Sequence, residues 1–308
     1  VDCPSPSDPR AHDDPSTGLA RASVVVHHTR VSTLAPLPSP PPEGTFERWA
    51  WDYVVTTELA QKLAPPPLPA VRAEDDRAWE PDVVARRVLR PGRPARLVQA
   101  VKKPKTPTGG ALRDPHKRAL LLHVFLHHEL QAAELFAWAA LTFVDAPRAL
   151  RLGWLKLALD EARHMRLYAG ELTRLGHAFG DFPVRDWFWE RVPACESALS
   201  FLALVGVGFE GGNLDHGARF AEMLEAAGDP RAAAVERQVA QEEIAHVRFA
   251  VRWITRLGGA LEPFDAFRAL LPPPLSPLVL RGAPIARQAR REAGLSDPFV
   301  DALEAWSR

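Results

Sequence analysis

Cysteine is nearly absent from this 308-residue chain: Cys3 and Cys195 are the only two, and neither belongs to a Cys-x-x-Cys pair. That excludes a disulfide framework and a rubredoxin-type iron site. Net charge is absent too, with 38 basic against 38 acidic side chains, so no global field draws the chain to nucleic acid or to a membrane. No apolar run is long enough to span a bilayer. The first residues lack the basic-then-apolar order of a secretory signal, and the expectation is a cytoplasmic protein without a membrane partner. What is present is a hydrophobic fraction of 46%, enough for a substantial core.

The chain divides by composition. Residues 1–44, rich in Pro, Ser and Asp, read as a disordered or extended arm. Within 45–113, one helix is expected from Thr45 to Leu63, closed by Pro65-Pro66-Pro67, and then a basic, Pro-broken stretch with no assignable element. Residues 114–261 carry four helical patterns. Asp114-Pro115 gives an N-cap and a proline at the first helical position. The stripe Leu121, Phe125, Glu129, Ala132, Phe136, Ala140 follows. A turn at Asp145-Ala-Pro147 leads to Trp154, Leu157, Glu161, His164, Tyr168, Leu172, Leu175. After a long crossover over 178–195, a third helix is expected over about 196–227 and carries Glu210. Gly228-Asp229-Pro230 stops it and caps a fourth, with the stripe Val235, Val239, Glu243, His246, Ala250, Trp253, Leu257. Residues 262–308 read as short helices wrapping the bundle. Short, long, short connections define an all-α four-helix bundle with one crossover, the ferritin-like topology.

One pattern occurs twice. Glu129 is followed 32 residues later by Glu161 and then His164; Glu210 is followed 33 residues later by Glu243 and then His246. A lone Glu and a Glu-x-x-His from each half form the ligand set of a carboxylate-bridged dinuclear site. Residues at i and i+3 share a helix face, so each pair presents a carboxylate and an imidazole together. All four glutamates fall on apolar stripes, where an unpaired ionised carboxylate is very costly. Two divalent cations would cancel four carboxylates with both histidines neutral. Mixed carboxylate and imidazole donors suit Fe or Mn, and two Fe ions are expected, with Mn or mixed Mn/Fe compatible.

Asp160-Glu-Ala-Arg-His164 resembles the Asp/Glu-Glu-x-Arg-His signature of di-iron oxygenases and desaturases, with Glu242-Glu-Ile-Ala-His246 a looser copy that lacks the Arg. Over residues 42–308 the chain resembles a bacterial ferritin-like family, domain of unknown function 455. His127-His-Glu-Leu-Gln-Ala132, Phe179-Gly-Asp-Phe-Pro183 and Phe209-Glu-Gly-Gly-Asn-Leu-Asp215 carry that resemblance. Glu129-Leu-Gln-Ala132 also looks like the first-helix ligand motif of bacterioferritin. The resemblance to the oxygenases implies that Asp160 orients His246 and Glu242 orients His164. A metal-bound imidazole needs such a partner for its other nitrogen.

Other residues have two readings each. Glu134, about 140° around the helix from Glu129, is excluded from the ligands. His128 is an extra ligand or a core histidine. Asp215 and His216 line a pocket or cap a neighbouring segment, and Tyr168 is a relay or a core aromatic. Gly206, Gly208, Gly211 and Gly212 around Glu210 allow a π-bulge or a channel, or close packing. Trp187 and Trp189 form a lid or plug the bundle end. The basic stretch Arg86–Arg118 is a solvated loop or a phosphate-binding surface, and its lack of aromatics argues against base stacking.

The function expected is that of a non-haem di-iron oxidoreductase activating dioxygen or peroxide to hydroxylate, desaturate or otherwise oxidise a small organic substrate. With no flavin fingerprint and no cysteine cluster, it would draw electrons from a separate reductase. The alternatives are a ferroxidase or peroxide-removing protein like ferritins and rubrerythrins, and a non-catalytic metal-stabilised scaffold for RNA or protein.

Overall fold

The computed structural model describes residues 38–70, 75–100 and 105–307. The arm expected over 1–44 lies outside the described residues up to 37, as do 101–104 of the basic stretch. The described residues belong to one compact unit starting at Pro38.

Among them every regular element is helical, and Gln99 and Val184 form an isolated parallel bridge. The elements are α1 (Phe46–Val55), α2 (Leu59–Leu63), α3 (Pro115–Thr142), α4 (Arg148–Arg174) and α5 (Ala198–Phe201). The last runs without a break through a π-helical stretch, Leu202–Phe209, into α6 (Glu210–Ala226). Then come α7 (Pro230–Arg256), α8 (Phe264–Arg268), α9 (Arg287–Glu292) and α10 (Asp297–Ala305). Four long rods, α3, α4, the α5–α6 composite and α7, make an all-α bundle. In it α3 packs on α4, α6 packs on α7, and α4 meets α7. No helix of the described residues is long and apolar enough to cross a membrane.

Local signals set the rod ends. Asp114 accepts from the His116 amide at 2.9 Å with Pro115 at N1. Gly228, at φ +81°, closes α6 in a conformation that a β-carbon disfavours. Asp229 accepts from the Ala232 amide and also from Arg118 and Arg174. A cap is worth about 1 kcal/mol; this one also ties α3, α4 and α7 together at one end of the bundle.

Three features differ from the sequence-based expectation. The helix expected over 45–63 is two helices, broken at Thr56–Glu58. The carbonyls ending α1 are taken by other donors: Lys62 Nζ bonds Tyr53 O at 2.6 Å and Val54 O at 3.0 Å, and the Gly92 amide bonds Val54 O at 2.9 Å. A β-carbon on Gly92 would lie 2.0 Å from Val55 O, so only glycine permits this approach. Second, α3 is buried all round, with every residue from Glu129 to Thr142 buried. An apolar stripe faces one neighbour, but here the crossover and the extended basic stretch cover the far side as well. Trp138 Nε1 bonds Val88 O, and the Arg86 amide bonds Leu141 O, both at 2.9 Å.

Third, the described arginines of the basic stretch mostly brace the fold. Arg86 pairs with Glu80, Arg93 with Glu134 and Asp186, Arg96 with Asp181, and Arg118 with Asp229. Arg87 bonds the carbonyls of Pro193 and Cys195 and lies over Trp138. The C-terminal wrap is pinned from inside. The buried Arg290 forks onto Asp215 at 3.1 and 2.8 Å, and Asp215 also accepts the amides of Gly282 and Ala286 at 2.8 Å.

Candidate metal centre

Each rod brings one glutamate inward. Glu129 comes from the middle of α3, Glu161 from α4, Glu210 from the first turn of α6 and Glu243 from α7. None is more than 5% exposed, and His164 and His246 are equally buried. Single ligand atoms of Glu129, Glu161, His164 and Glu243 lie within 4.8 Å of one another, a group able to hold a metal ion.

The arrangement has two halves. Glu161 turns one oxygen to each imidazole, 3.1 Å from His164 Nδ1 and 2.8 Å from His246 Nδ1. Glu243 does the same, at 3.4 Å and 2.9 Å. Glu129 stands 3.4 Å from His164 Nδ1. Glu210 interacts electrostatically with Glu243, Glu161, His246 and Glu129, and Asn213 donates to it at 3.1 Å. The rings of His164 and His246 are 5.7 Å apart and tilted by 32°.

The outer nitrogens face the other half's acid. His164 Nε2 bonds Glu242 at 2.8 Å, and Arg163 holds the same Glu242 oxygen at 2.5 Å. His246 Nε2 faces Asp160 at 3.7 Å, too long for a direct hydrogen bond. The asymmetry follows from the sequence, because Arg163 has Ala245 as its counterpart in the second copy. Burial works against the Glu242 charge, but Arg163, Gln238 and His164 hold its pKa down at about 2.

The electrostatics of the cluster are those of closely spaced, buried acids and imidazoles. Among the described residues no lysine or arginine pairs with Glu129, Glu161, Glu210 or Glu243. Burial pushes Glu129 well above the usual carboxylate range, and Glu161 adds repulsion. Burial, then Glu243 and Glu161, does the same to Glu210. Glu161 is driven the other way: burial opposes its charge, but His246 and His164 outweigh it. Both imidazoles are driven upward against their burial, His164 by bonds to Glu129, Glu161 and Glu243, and His246 by the charges of Glu243 and Glu161. Glu161 Oε1, both Glu243 oxygens and His246 Nδ1 are buried without a well-angled hydrogen bond. Their close approaches satisfy distance but not angle. Buried polar atoms left in this way are costly, and a set of oxygens and Nδ1 atoms converging on one interior region suits divalent cations.

The other sequence candidates fall outside this cluster. Glu134 points away, to Lys62 at 2.8 Å, to Arg93 and to Trp189 Nε1. His128 packs tilted against Phe188 at 5.1 Å, and His127 bonds Asp186 and Gln131. Tyr168 donates to Glu236 at 2.8 Å, and burial, with repulsion from Glu243, lifts Glu236 to about 8. Asp215 caps the C-terminal wrap, Trp189 is core, and Trp187 packs at 5.5 Å on Phe209. The glycines serve both readings. The π-helical stretch ends at Glu210, while β-carbons on Gly206 and Gly208 would meet Ala250 at 2.3 Å and Leu280 at 2.5 Å. Sequence reasoning missed the Arg163–Glu242 bond and Glu236. Arg163 stood inside the Asp160–His164 motif; Glu236, two turns before Glu243, carried no signal of its own.

A sequence profile of the family described as "Protein of unknown function (DUF455)" matches residues 55–301, and the chain belongs to that family. No curated protein and no solved structure matches it.

Proposed function

We propose that this DUF455 member is a ferritin-like, non-haem di-iron oxidoreductase that oxidises a small organic substrate with dioxygen or peroxide. The observation that carries the reading is the pair Glu161 and Glu243, each offering one oxygen to the side of each imidazole, with no lysine or arginine among the described residues paired to them. Glu129 and His164 would serve one ion, Glu210 and His246 the other, and Glu161 and Glu243 both. When bound, two iron ions supply the redox chemistry that activates the oxidant, a role that Mn or a mixed Mn/Fe pair also fits.

The chain's own residues do the rest. With a metal bound, Glu242 would accept the Nε2 proton of His164 and leave Nδ1 to the ion. Arg163 fixes Glu242 in place, and Asp160 is positioned to do the same for His246. Beside the cluster, a cavity walled by Glu129, Tyr168, Glu236 and Glu243 gives a substrate a place to lie. Such a cavity favours substrate oxidation over iron storage, which needs passage for ions only. The fold-bracing arginines of the basic stretch argue against an RNA scaffold.

The test is metal analysis with an anomalous-scattering map on protein from iron-replete cells, followed by oxygen uptake with candidate substrates. Two ions per chain among the six ligands, lost together in Glu161→Ala, are expected. An ion-free cluster, or both ions retained by the variant, overturns the reading. Rapid Fe(II) oxidation with mineral formation would replace it with iron handling.

A further inference from the structure

We propose that the two adjoining cavities beside the cluster bind an organic anion, a carboxylate or phosphate monoester with an aromatic or aliphatic body. In this assignment Arg219 and Arg281 recognise the charge. The assignment rests on the metal-centre reading for its identity as substrate, but not for the binding itself.

The first cavity is about 340 Å³ and the second about 240 Å³, and Thr106, Val124, His128, Asn213 and His216 stand in the walls of both. Together they run from the bundle surface to Glu129 and Glu243. These are the dimensions of a small-molecule site. The first cavity has an apolar wall of Trp187, Phe188, Phe209, Leu278 and Val279, with Phe188 and Phe209 stacked at 4.7 Å. Among the described residues no aspartate or glutamate lines it, whereas Arg185 and Arg281 do. Arg185 is already paired with Glu190.

Arg281 and Arg219 are different. Among the described residues neither has a carboxylate partner, and Nε of each is buried without an acceptor. Arg281 donates to Trp306 O at 3.2 Å. Arg219 reaches Ala283 O at 3.5 Å and His216 Nδ1 at 3.3 Å, with its guanidinium over Phe220. Other half-buried and buried arginines of this fold meet acids, as Arg86, Arg93, Arg151 and Arg290 do, or a backbone carbonyl, as Arg248 does at Glu292. A guanidinium stays charged in any protein setting and its planar fork matches carboxylate and phosphate oxygens. Arg281 in the wall of the first cavity and Arg219 in the wall of the second are left with charge for a ligand to balance. The carboxylates of the second cavity do not serve: Glu129 and Glu243 belong to the cluster, and Glu236 is bonded to Tyr168.

The experiment measures binding of 3-phenylpropionate, phenyl phosphate and the neutral 3-phenylpropanamide by calorimetry, on the full chain both metal-free and Mn(II)-loaded. One of the anions is expected to bind at least about tenfold tighter than the amide in both forms. Whichever anion binds more tightly identifies the head group. Arg281→Met and Arg219→Met are each expected to remove that preference while leaving amide binding and Mn(II) stoichiometry unchanged. Unchanged amide binding also shows that the variants fold. The proposal is overturned if the amide binds as well as both anions. It is overturned too if the preference appears only with Mn(II), or if it survives both substitutions. Two Mn(II) ions with no anion preference would remove this inference alone. An anion preference in a chain that takes up no metal would remove the metal centre and leave the anion site standing.

Discussion

Glu210→Gln separates a metal ligand from a merely buried acid, because the two roles give opposite signs. Glu210 is 1% exposed and its pKa is raised by burial and by Glu243 and Glu161. A carboxyl whose folded pKa lies above its unfolded value contributes stability below the unfolded pKa, and that stability is lost as pH rises through the folded one. The metal-free wild type is therefore penalised at and above neutral pH, by about 1.4 kcal/mol for every pH unit between the unfolded pKa and the folded one. Glutamine keeps the shape and the Asn213 contact region but carries no charge to bury. The metal-free variant should therefore be the more stable of the two by at least about 1 kcal/mol near pH 8. With metal the wild type gains more than the variant. At a free ion concentration about 100 times the wild-type Kd, binding adds about 2.7 kcal/mol. If losing one ligand weakens affinity about 100-fold, the same concentration gives the variant only about 0.4 kcal/mol. Urea unfolding of chelator-treated protein, repeated with Mn(II), reads both differences. A variant that is less stable without metal yet equally stabilised by Mn(II) would refute the assignment of Glu210.

Three further outcomes follow from other contacts. Glu134→Gln strands the buried Lys62 charge and leaves Arg93 with Asp186 alone, and should cost about 3–5 kcal/mol in urea unfolding; a loss under about 1 kcal/mol would mean that Lys62 finds another partner. Glu242→Gln should weaken Mn(II) binding about 10–100-fold, and Asp160→Asn by less, because Asp160 stands 3.7 Å from His246 while Glu242 is bonded to His164; equal or reversed effects in a Mn(II) titration would count against the orienting roles. Glu236, lifted to about 8, contributes stability that is present below pH 4.5 and fades as pH rises through 8, with a slope of up to about 1.4 kcal/mol per pH unit. Urea midpoints from pH 5 to 9 should show that decline, and Glu236→Gln should flatten it; parallel curves would place the titration elsewhere.

Some of this molecule could be read along the chain because the relevant physics is local. Asp114-Pro115 and Gly228-Asp229-Pro230 mark helix ends through bonds within one turn. The apolar stripes of α4 and α7 repeat every 3.6 residues, so Glu161 and Glu243, with their histidines three residues on, had to share the buried face. Four acids at such positions already stated a charge problem before any helix was placed against another.

Tertiary structure alone decided the rest, because it depends on which distant groups reach one another. The break between α1 and α2 comes from Lys62 and Gly92 claiming the carbonyls at the end of α1. The arginines of the basic stretch became braces because Glu80, Glu134, Asp181, Asp186 and Asp229 were folded within reach. No spacing along the chain announces that one arginine on α4 would hold an acid on α7. Nor does any spacing announce that Arg219 and Arg281 would line cavities without an acid to meet them. The sequence determined which side chains must be buried together and what charge they carry; only the packing of the rods decided their partners, since a contact between distant residues leaves no periodicity to read.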